Sequence, residues 1–379
     1  MKPLVSIITP SYNQGKFIRE TIESVLQQKY ENIEYIIIDG GSTDNSLDII
    51  KEYEDRLTYI SEKDNGQSDA INKGFRMAHG EIVAWLNSDD VYEPDCIEKA
   101  VEEFIKNDKV GLVYGDGYII DEFSNKLKIF EYTQEFDFWK LVNFWDYIMQ
   151  PATFFKRKTL QDVGYLDENL HYCMDWDLWI KLAAVSEVKY IPELLACSRE
   201  YGETKTSTGG DKRLVEITKL LQKYSGKQVP LGVKSYRAST FYTKNLNAVW
   251  PIRKFAGAYL TYIHKYLNSQ IPQKYEDGWI GKRYYIVVPE YIGCVRFIIE
   301  AILPGTFPQK VSLYINSELY KIVQIEHSGS FEIIVECDNR NQINEIGMDC
   351  EKVVKASKDD TRKLSFLIKE MNFIVKGNL

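Results

Sequence analysis

The first hundred residues alternate short apolar runs with amphipathic segments. Four runs are rich in β-branched residues and predict buried strands: 4–8, 33–38, 57–60 and 81–86. Three segments between them carry apolar side chains at helical spacing: 17–28, 46–54 and 68–78. This alternation predicts right-handed crossovers and an α/β fold whose mainly parallel sheet is flanked by helices.

Each of these strands is followed by polar or glycine-rich residues. The four loops read TPSYNQG, DGGSTDNS, SEKDNGQSD and NSDD in chain order. Ligands of open α/β sheets bind in the crevice outside the carboxyl ends of the strands. We therefore expect the four loops to meet at one edge of the sheet and to form the functional site.

The first domain continues beyond this alternation. Strand-like runs at 110–115 and 152–156 and a helical pattern at 175–184 extend it, and a helix at 214–224 closes it. The polar stretch 201–212 before that helix reads as a mobile loop. These patterns assign residues 1–226 to the first domain and 227–274 to a helical linker.

The linker contains an amphipathic helix at 252–267. Its apolar stripe includes Phe255, Tyr259 and Tyr266, and Arg253, Lys254, His264 and Lys265 lie opposite. Such a helix can lie on an anionic membrane, although packing on a neighbouring domain is the commoner fate of an apolar stripe. From 275 to 379, short strand-like runs separated by turn residues predict an all-β sandwich domain.

Charge and cysteine content exclude several classes of protein. The chain has 47 basic and 55 acidic residues, a net charge of −8, and no basic block, so nucleic acid is not expected as its main partner. Its six cysteines show no C-x-x-C spacing and suit a reducing cytosol. We expect a cytoplasmic protein that touches a membrane, if at all, from the inner face. Association into a homo-oligomer is left open.

Five motifs, in order, resemble the inverting, family 2 type of glycosyltransferase with the GT-A fold. They are SIITPSYN (6–13), IIIDGGSTD (36–44), AWLNSDD (84–90), QPATFF (150–155) and MDWDLW (174–179). The resemblance runs from about Val5 to Arg199. It implies a Rossmann-like nucleotide-binding domain, a nucleotide-sugar donor and a divalent cation, Mn²⁺ or Mg²⁺.

The resemblance also implies a set of nucleotide contacts. Asp39 would accept a hydrogen bond from the uracil imide, and Gly41 would let the backbone approach the nucleotide closely. The first loop would wrap the base and ribose with Pro10, Tyr12 and Asn13, and the third would place Gln67 and Asp69 near the ribose and donor sugar. Turn formation and helix capping explain the same residue types without a ligand.

The metal signature of the family is Asp-x-Asp, and here it reads Asn87-Ser88-Asp89. The resemblance makes Asp89 the metal ligand and puts Asn87 and Ser88 beside the nucleotide. Asparagine can still hydrogen-bond a ribose, but it removes one anionic group from the vicinity of the cation. The alternative is that Ser88, Asp89 or Asp90 caps a helix that begins near Pro94.

Asp175 of MDWDLW matches the position of the catalytic base in the family. Asp177 lies two residues further, about 200° around a helix, and therefore points elsewhere. Trp176 and His171 are candidates for the acceptor or donor-sugar site. The alternatives are helix-dipole stabilisation for Asp175, core packing for Trp176 and a surface loop for His171.

The sequence thus predicts a metal-dependent glycosyltransferase that uses a UDP-linked sugar. The resemblance to the family further implies that its acceptor would be a glycan or lipid-linked saccharide in bacterial surface-polysaccharide synthesis. A non-catalytic glycan-binding or scaffold protein on the same fold is the alternative, whereas PSYNQGKF lacks the glycine- and arginine-rich loop expected of a sugar nucleotidyltransferase. The stretches 277–283 and 359–371 resemble a β-sandwich module appended to bacterial glycosyltransferases, suited to glycan binding, interdomain packing or oligomerisation.

Overall fold

The computed structural model describes residues 2–375 apart from 203, 246, 269–278, 290–291, 304, 317, 338–342 and 356–361. The chain forms two compact units, Met1–Asp137 with Asp146–Leu220, and Phe138–Trp145 with Leu221–Leu379. The predicted end of the linker, 269–274, and the motif residues 277–278 and 359–361 lie outside the described residues.

The first unit is built on one mixed sheet. Its nine strands are β1 (Val5–Ser11), β2 (Ile33–Asp39), β3 (Thr58–Ser61), β4 (Ile82–Trp85), β5 (Val91–Tyr92), β6 (Val110–Ile120), β7 (Lys126–Ile129), β8 (Thr153–Lys156) and β9 (Glu187–Arg199). The order is β3-β2-β1-β4-β8-β6-β9-β5, and β7 pairs with β6. Strands β3, β2, β1 and β4 are parallel, as predicted, whereas β8 is antiparallel to both of its neighbours. The α/β architecture that the patterns predict is confirmed.

Helices follow the first three strands at the predicted places. The helices up to residue 225 are α1 (Ile18–Leu26), α2 (Ser46–Lys51), α3 (Gln67–Met77), α4 (Cys96–Lys106), α5 (Phe138–Asn143), α6 (Arg157–Val163), α7 (Met174–Ala183), α8 (Lys205–Thr208) and α9 (Gly210–Ser225). Apolar side chains at helical spacing, such as Ile18, Ile22 and Val25 of α1, are fully buried in the core with Ile7 and Ile37 of the sheet. Burial of these stripes fixes the helices and leaves the strand ends free to form loops.

The second unit contains a helix pair and two antiparallel sheets. Its further helices are α10 (Leu231–Lys244) and α11 (Trp250–Asn268), and its strands are β10 (Arg283–Pro289), β11 (Ile292–Ala301), β12 (Gln309–Ile315), β13 (Glu318–Ile325), β14 (Gly329–Glu336), β15 (Ile343–Cys350) and β16 (Leu367–Val375). The sheet orders are β10-β15-β12-β13 and β14-β11-β16. Inward side chains of both sheets, including Phe297, Leu313 and Met348, share one core. The predicted β-sandwich is confirmed.

The short helix α5 belongs with the second unit, although it lies between β7 and β8 in sequence. The indole Nε1 of Trp139 donates to Glu345 Oε2 at 2.7 Å, and Lys227 Nζ donates to the same oxygen at 2.7 Å. Because Glu345 is 8% exposed, these two donors satisfy a carboxylate that would otherwise be buried alone. A segment of eight residues is thereby fastened to the sandwich.

Candidate active site

The loops after β1 and β2 are hydrogen-bonded to each other. Asn13 N donates to Ser42 Oγ at 2.8 Å, and Thr43 N donates to Asn13 Oδ1 at 2.8 Å. Asn13 also has a positive φ of 53°, which asparagine tolerates better than most residues. Pro10 is buried within β1, whereas the Tyr12 side chain is 59% exposed. Asn13 therefore shapes the loop, and Tyr12 is available to a ligand.

Asp39 ends β2 and is fully buried. Its carboxylate accepts from Gly41 N at 3.2 Å, Ser42 N at 3.0 Å, Ser42 Oγ at 2.5 Å and Ser61 Oγ at 2.6 Å. Gly41 has a φ of +80°, in the region that favours glycine. This conformation lets the backbone turn after Asp39 so that the N–H groups of Gly41 and Ser42 reach its carboxylate. Together with the contacts of Asn13, these four hydrogen bonds to Asp39 hold the second loop in shape.

Asn87 lies at the centre of an amide network that joins three loops. Its Oδ1 accepts from Gln67 Nε2 at 2.8 Å, and its Nδ2 donates to Gln150 Oε1 at 2.8 Å and to Asp90 Oδ2 at 3.1 Å. Lys205 Nζ extends the network by donating to Gln67 Oε1 at 2.7 Å. This network thereby holds together the third loop (SEKDNGQSD), the fourth loop (NSDD) and the start of α8.

Asp89 and Asp90 have different partners. Tyr201 donates its hydroxyl to Asp89 Oδ2 at 3.0 Å, while Asp90, 4% exposed, accepts the Arg199 N–H at 2.9 Å. Burial raises the pKa of Asp89, and burial together with the adjacent Asp89 charge raises the pKa of Asp90 to about 7. The two acids are therefore held where water is scarce.

The capping alternative for this motif is wrong. Helix α4 begins at Cys96, and no side chain caps its first turn. Ser88 is 5% exposed, and Asp90 bonds to Asn87 and Arg199 instead. The acids of NSDD consequently serve the loop and not the helix that follows.

Arg199 is a residue that the sequence patterns did not single out for the site. It is 3% exposed, and its guanidinium donates to Glu20 Oε2 at 2.7 Å, Ser124 Oγ at 2.9 Å and the Asp89 carbonyl at 2.7 Å. The planar fork of arginine suits such a set of separate acceptors. Arg199, the last residue of β9, thereby fixes the backbone of Asp89.

A bound cation would have few protein ligands here. Among the described residues, no group of three or more histidine, cysteine, aspartate and glutamate side chains is arranged to hold a metal ion. Mg²⁺ is often bound through one or two carboxylates, with substrate phosphates and water completing its shell. Asp89, partly buried and held by one hydroxyl, fits that kind of substrate-assisted site.

Asp175 lies in the first turn of α7 and accepts the Trp176 N–H at 2.8 Å. Burial raises its pKa, while the charges of Arg213 and Lys205 oppose that rise. Asp146 is a second carboxyl group beside it: burial and the Asp175 charge raise the pKa of Asp146 well above its usual range. Burial lowers the pKa of Lys205, and the Asp175 charge acts against this. Two acids and two cations therefore share one electrostatic environment.

Glu216 of α9 positions the loop that leads into α7. Its carboxylate accepts three backbone N–H groups, from His171 at 2.9 Å, Tyr172 at 2.5 Å and Cys173 at 2.7 Å. All three groups come immediately before α7, whose N-cap is Cys173, and a negative charge suits that end of the helix dipole. The contact fixes the chain immediately before Asp175.

The side chains predicted for the sugar site occupy different settings. The His171 ring is exposed against Tyr172, and burial and the Lys205 charge lower the pKa of His171. Trp176 is only 2% exposed, which leaves almost no indole surface for a sugar, so the core alternative describes it better. Asp69 accepts the Asn65 N–H at 3.0 Å, a bond within the third loop, and no side chain caps the first turn of α3. Asp177 lies 3.1 Å from Lys181 Nζ, turned away from Asp175 as predicted.

The parallel half of the sheet carries acidic and amide side chains in the loops beyond its strands. This is the edge at which open α/β sheets bind their ligands. The chain belongs to glycosyltransferase family 2. The family model described as "Glycosyl transferase family 2" matches residues 6–163.

Three similar proteins illustrate the range of relatives. An uncharacterized glycosyltransferase of Rickettsia typhi is 34% identical over 217 residues, which cover 54% of this chain and 67% of the relative. Chondroitin synthase of Escherichia coli is 30% identical over 252 residues, 65% of this chain but 35% of that protein. The crystal structure of Staphylococcus aureus TarS 1–349 with UDP-GlcNAc has a TM-score of 0.48 at 16% identity, and the match covers 70% of this chain and 83% of that one.

Proposed function

We propose that this protein is a metal-dependent, inverting glycosyltransferase that moves a sugar from a UDP-linked donor to a hydroxyl of a glycan or lipid-linked saccharide. The observation that carries the proposal is the position of Lys205. Its Nζ bonds Gln67 in the network around Asn87, and its charge acts on Asp175. One cation thus connects the loop motif that carries Asp89 with the acid that matches the family's base. In this proposal residues 1–226 carry out transfer, 227–274 form a linker and 275–379 form the accessory domain.

The donor would lie across the loops at the carboxyl ends of β1, β2 and β4. Tyr12 offers an exposed ring to the base, and Gly41 keeps the backbone clear of the nucleotide. Asp89 would hold Mn²⁺ or Mg²⁺, with Asn87 and Ser88 beside it, and Arg199 fixes the Asp89 backbone. Such a cation, when bound, neutralises charge that develops on the diphosphate leaving group.

Asp175 would take the proton from the acceptor hydroxyl at its carboxylate oxygen. The hydroxyl oxygen attacks the anomeric carbon from the face opposite the leaving nucleotide, so the configuration at that carbon inverts. A base works best when its pKa lies near the operating pH, and burial raises the pKa of Asp175 in that direction. The exposed His171 ring, in the loop before α7, would contact the acceptor or the donor sugar.

Surface-polysaccharide synthesis is the setting that we propose. Its support is the likeness to chondroitin synthase, whose name describes a polysaccharide product. The non-catalytic alternative draws on a different observation: the Asn87 amide is already engaged by Gln67, Gln150 and Asp90. An amide satisfied by protein groups has less reason to bind a ribose.

A thermal-shift series separates these functions. Purified protein is heated with UDP, GDP or dTDP, each with and without Mn²⁺, and compared with Asp89→Asn and Asp48→Asn variants. We expect UDP to raise the unfolding temperature in the presence of Mn²⁺ and Asp89→Asn to abolish the metal-dependent part, because asparagine keeps the Tyr201 contact but not the charge. Asp48, exposed on α2, is the matched control and should behave like the native protein. If no nucleotide stabilises the protein with Mn²⁺, the donor assignment fails.

A further inference from the structure

Helices α10 and α11 pack together and leave an aromatic surface exposed. Ala256 and Leu267 of α11 are fully buried, whereas Phe255 and Tyr262 are 64% and 67% exposed. The exposed aromatic face consists of Phe241, Phe255, Tyr259, Tyr262 and Tyr266. Its four members on α11 fall within an arc of roughly 60° on a helical wheel. The apolar stripe predicted from the sequence therefore splits into a packed part and an exposed part.

The aromatic face is continuous across the two helices. The ring of Phe241 on α10 lies 6.0 Å from that of Tyr259 and 6.5 Å from that of Phe255. The rings of Phe255 and Tyr259, both on α11, are stacked 6.5 Å apart. Together with Arg237, these three rings line an open hollow of about 370 Å³. Exposed apolar patches of this kind mark interaction surfaces more often than scattered exposed rings do.

The charge around the aromatic face has one sign. Residues 231–268 contain six lysine and arginine side chains and no aspartate or glutamate, in a chain whose net charge is −8. The acid-free stretch extends from 217 to 275 and holds ten lysines and arginines. Lys234 Nζ lies 5.4 Å from the Tyr266 ring, and Lys254 Nζ lies 4.8 Å from the Trp250 ring. Lys234 and Arg237 thus lie directly beside rings of the aromatic face, and Lys254 lies beside the neighbouring Trp250.

Charge decides which occupant fits this face. A second copy of the same face would bring Lys234 and Arg237 against cations of the same sign, and like charges across an interface are unfavourable. Lysine is also depleted in the cores of protein interfaces. An anionic bilayer instead takes aromatic rings at the level of its headgroups and attracts lysine and arginine to its phosphates.

We propose that the aromatic face of α10 and α11 docks the protein onto bilayers that contain anionic lipids. Tyr and Phe side chains enter the headgroup region, and Lys234, Arg237, Lys254 and Lys265 contact lipid phosphates. The helices lie on the surface, because no helix of the described residues is long and apolar enough to cross a membrane. Docking goes beyond the proposed transfer reaction and does not depend on it.

Co-sedimentation of the full chain with vesicles tests the proposal. Vesicles of pure phosphatidylcholine are compared with vesicles in which about a third of the lipid is phosphatidylglycerol. We expect roughly tenfold or stronger binding to the anionic vesicles, weakened by salt, since each cation near such a surface contributes on the order of 1 kcal/mol. Equal binding to both vesicles, or no binding to either, overturns the proposal.

Two variants locate the binding surface. Phe255→Ser with Tyr262→Ser removes exposed rings, and Lys254→Glu with Lys265→Glu reverses exposed charges without altering any buried apolar group. Each should weaken binding to anionic vesicles roughly tenfold. The matched control is Phe123→Ser with Tyr132→Ser, which removes the same ring types at 74% and 63% exposure from the other unit and should bind as the native protein does.

The same variants distinguish other occupants. If Phe255→Ser with Tyr262→Ser converts a dimer into a monomer in sedimentation velocity without changing vesicle binding, the face is a self-association surface and the proposal is wrong. If the charge-reversal variant is folded by circular dichroism and binds anionic vesicles as tightly as the native protein, the proposal is also wrong.

Discussion

The Asp146 carboxyl group lies beside the carboxyl group of Asp175. Burial and the Asp175 charge raise its pKa well above the value in an unfolded chain, about 3.9. The folded protein therefore binds more protons at this residue than the unfolded chain does as the pH rises above about 4. The free energy of unfolding therefore falls as the pH rises above about 4. In that range the folded protein must either keep the proton on Asp146 or bury its negative charge.

Asp146→Asn should remove this loss. Asparagine keeps an acceptor for the Ile148 N–H, which Asp146 binds at 3.0 Å, and carries no charge. We expect the thermal midpoint of the variant to exceed that of the native protein by about 2–4 °C at neutral pH, which corresponds to about 1 kcal/mol. Near pH 4 the two midpoints should converge. An equal difference at both pH values, measured by circular dichroism, would show that Asp146 does not carry the proposed proton.

Most helices and strands follow from apolar periodicity, but some do not. Strand β9 of the first unit contains Pro192 and alternates little, and β15 of the second unit has the polar pair Asn344 and Glu345 near its start, so neither shows a clear two-residue pattern. Both are held by pairing on two sides, β9 with β5 and β6 and β15 with β10 and β12. Tertiary pairing overrides weak local preference in such strands.

The site was predictable where it sits in motifs and not where it depends on tertiary contacts. Asn87 and Asp89 follow a strand in a recognisable motif, so their loop could be foreseen. Tyr201 and Lys205 come from the polar stretch that reads as a mobile loop, yet they bond Asp89 and Gln67. No local pattern marks such a residue, because its partner lies more than a hundred positions away.

Glu216 shows how one helix can position a residue on another. Glu216→Ala leaves three backbone N–H groups before α7 without their carboxylate partner. We expect the variant to lose about 1–3 kcal/mol of stability and to show a lower transfer rate, because Asp175 follows directly. Glu216→Gln, which keeps one acceptor oxygen, should recover part of both. Thermal melts and initial transfer rates are measured on the same preparations of each variant. A Glu216→Ala variant as stable and as active as the native protein would contradict this positioning role.

Across the whole molecule, charge and chemistry are distributed unevenly. The acids proposed for transfer lie in the first unit, whereas the acid-free stretch 217–275 lies almost entirely in the second. The sandwich adds a core of its own, and α5 is fastened to it by Trp139. Such a division lets the two units be tested separately: variants of α10 and α11 should change vesicle binding and leave nucleotide binding intact.

The account depends most on Asp175 as the base, and one paired measurement tests it directly. The rate of UDP release from UDP-sugars with Mn²⁺ and the UDP-induced thermal shift are measured for the native protein, Asp175→Asn and the Asp48→Asn control. We predict that Asp175→Asn keeps the native thermal shift but releases UDP at least about 100-fold more slowly, as expected when a general base is removed. Native rates of UDP release in Asp175→Asn would contradict the account.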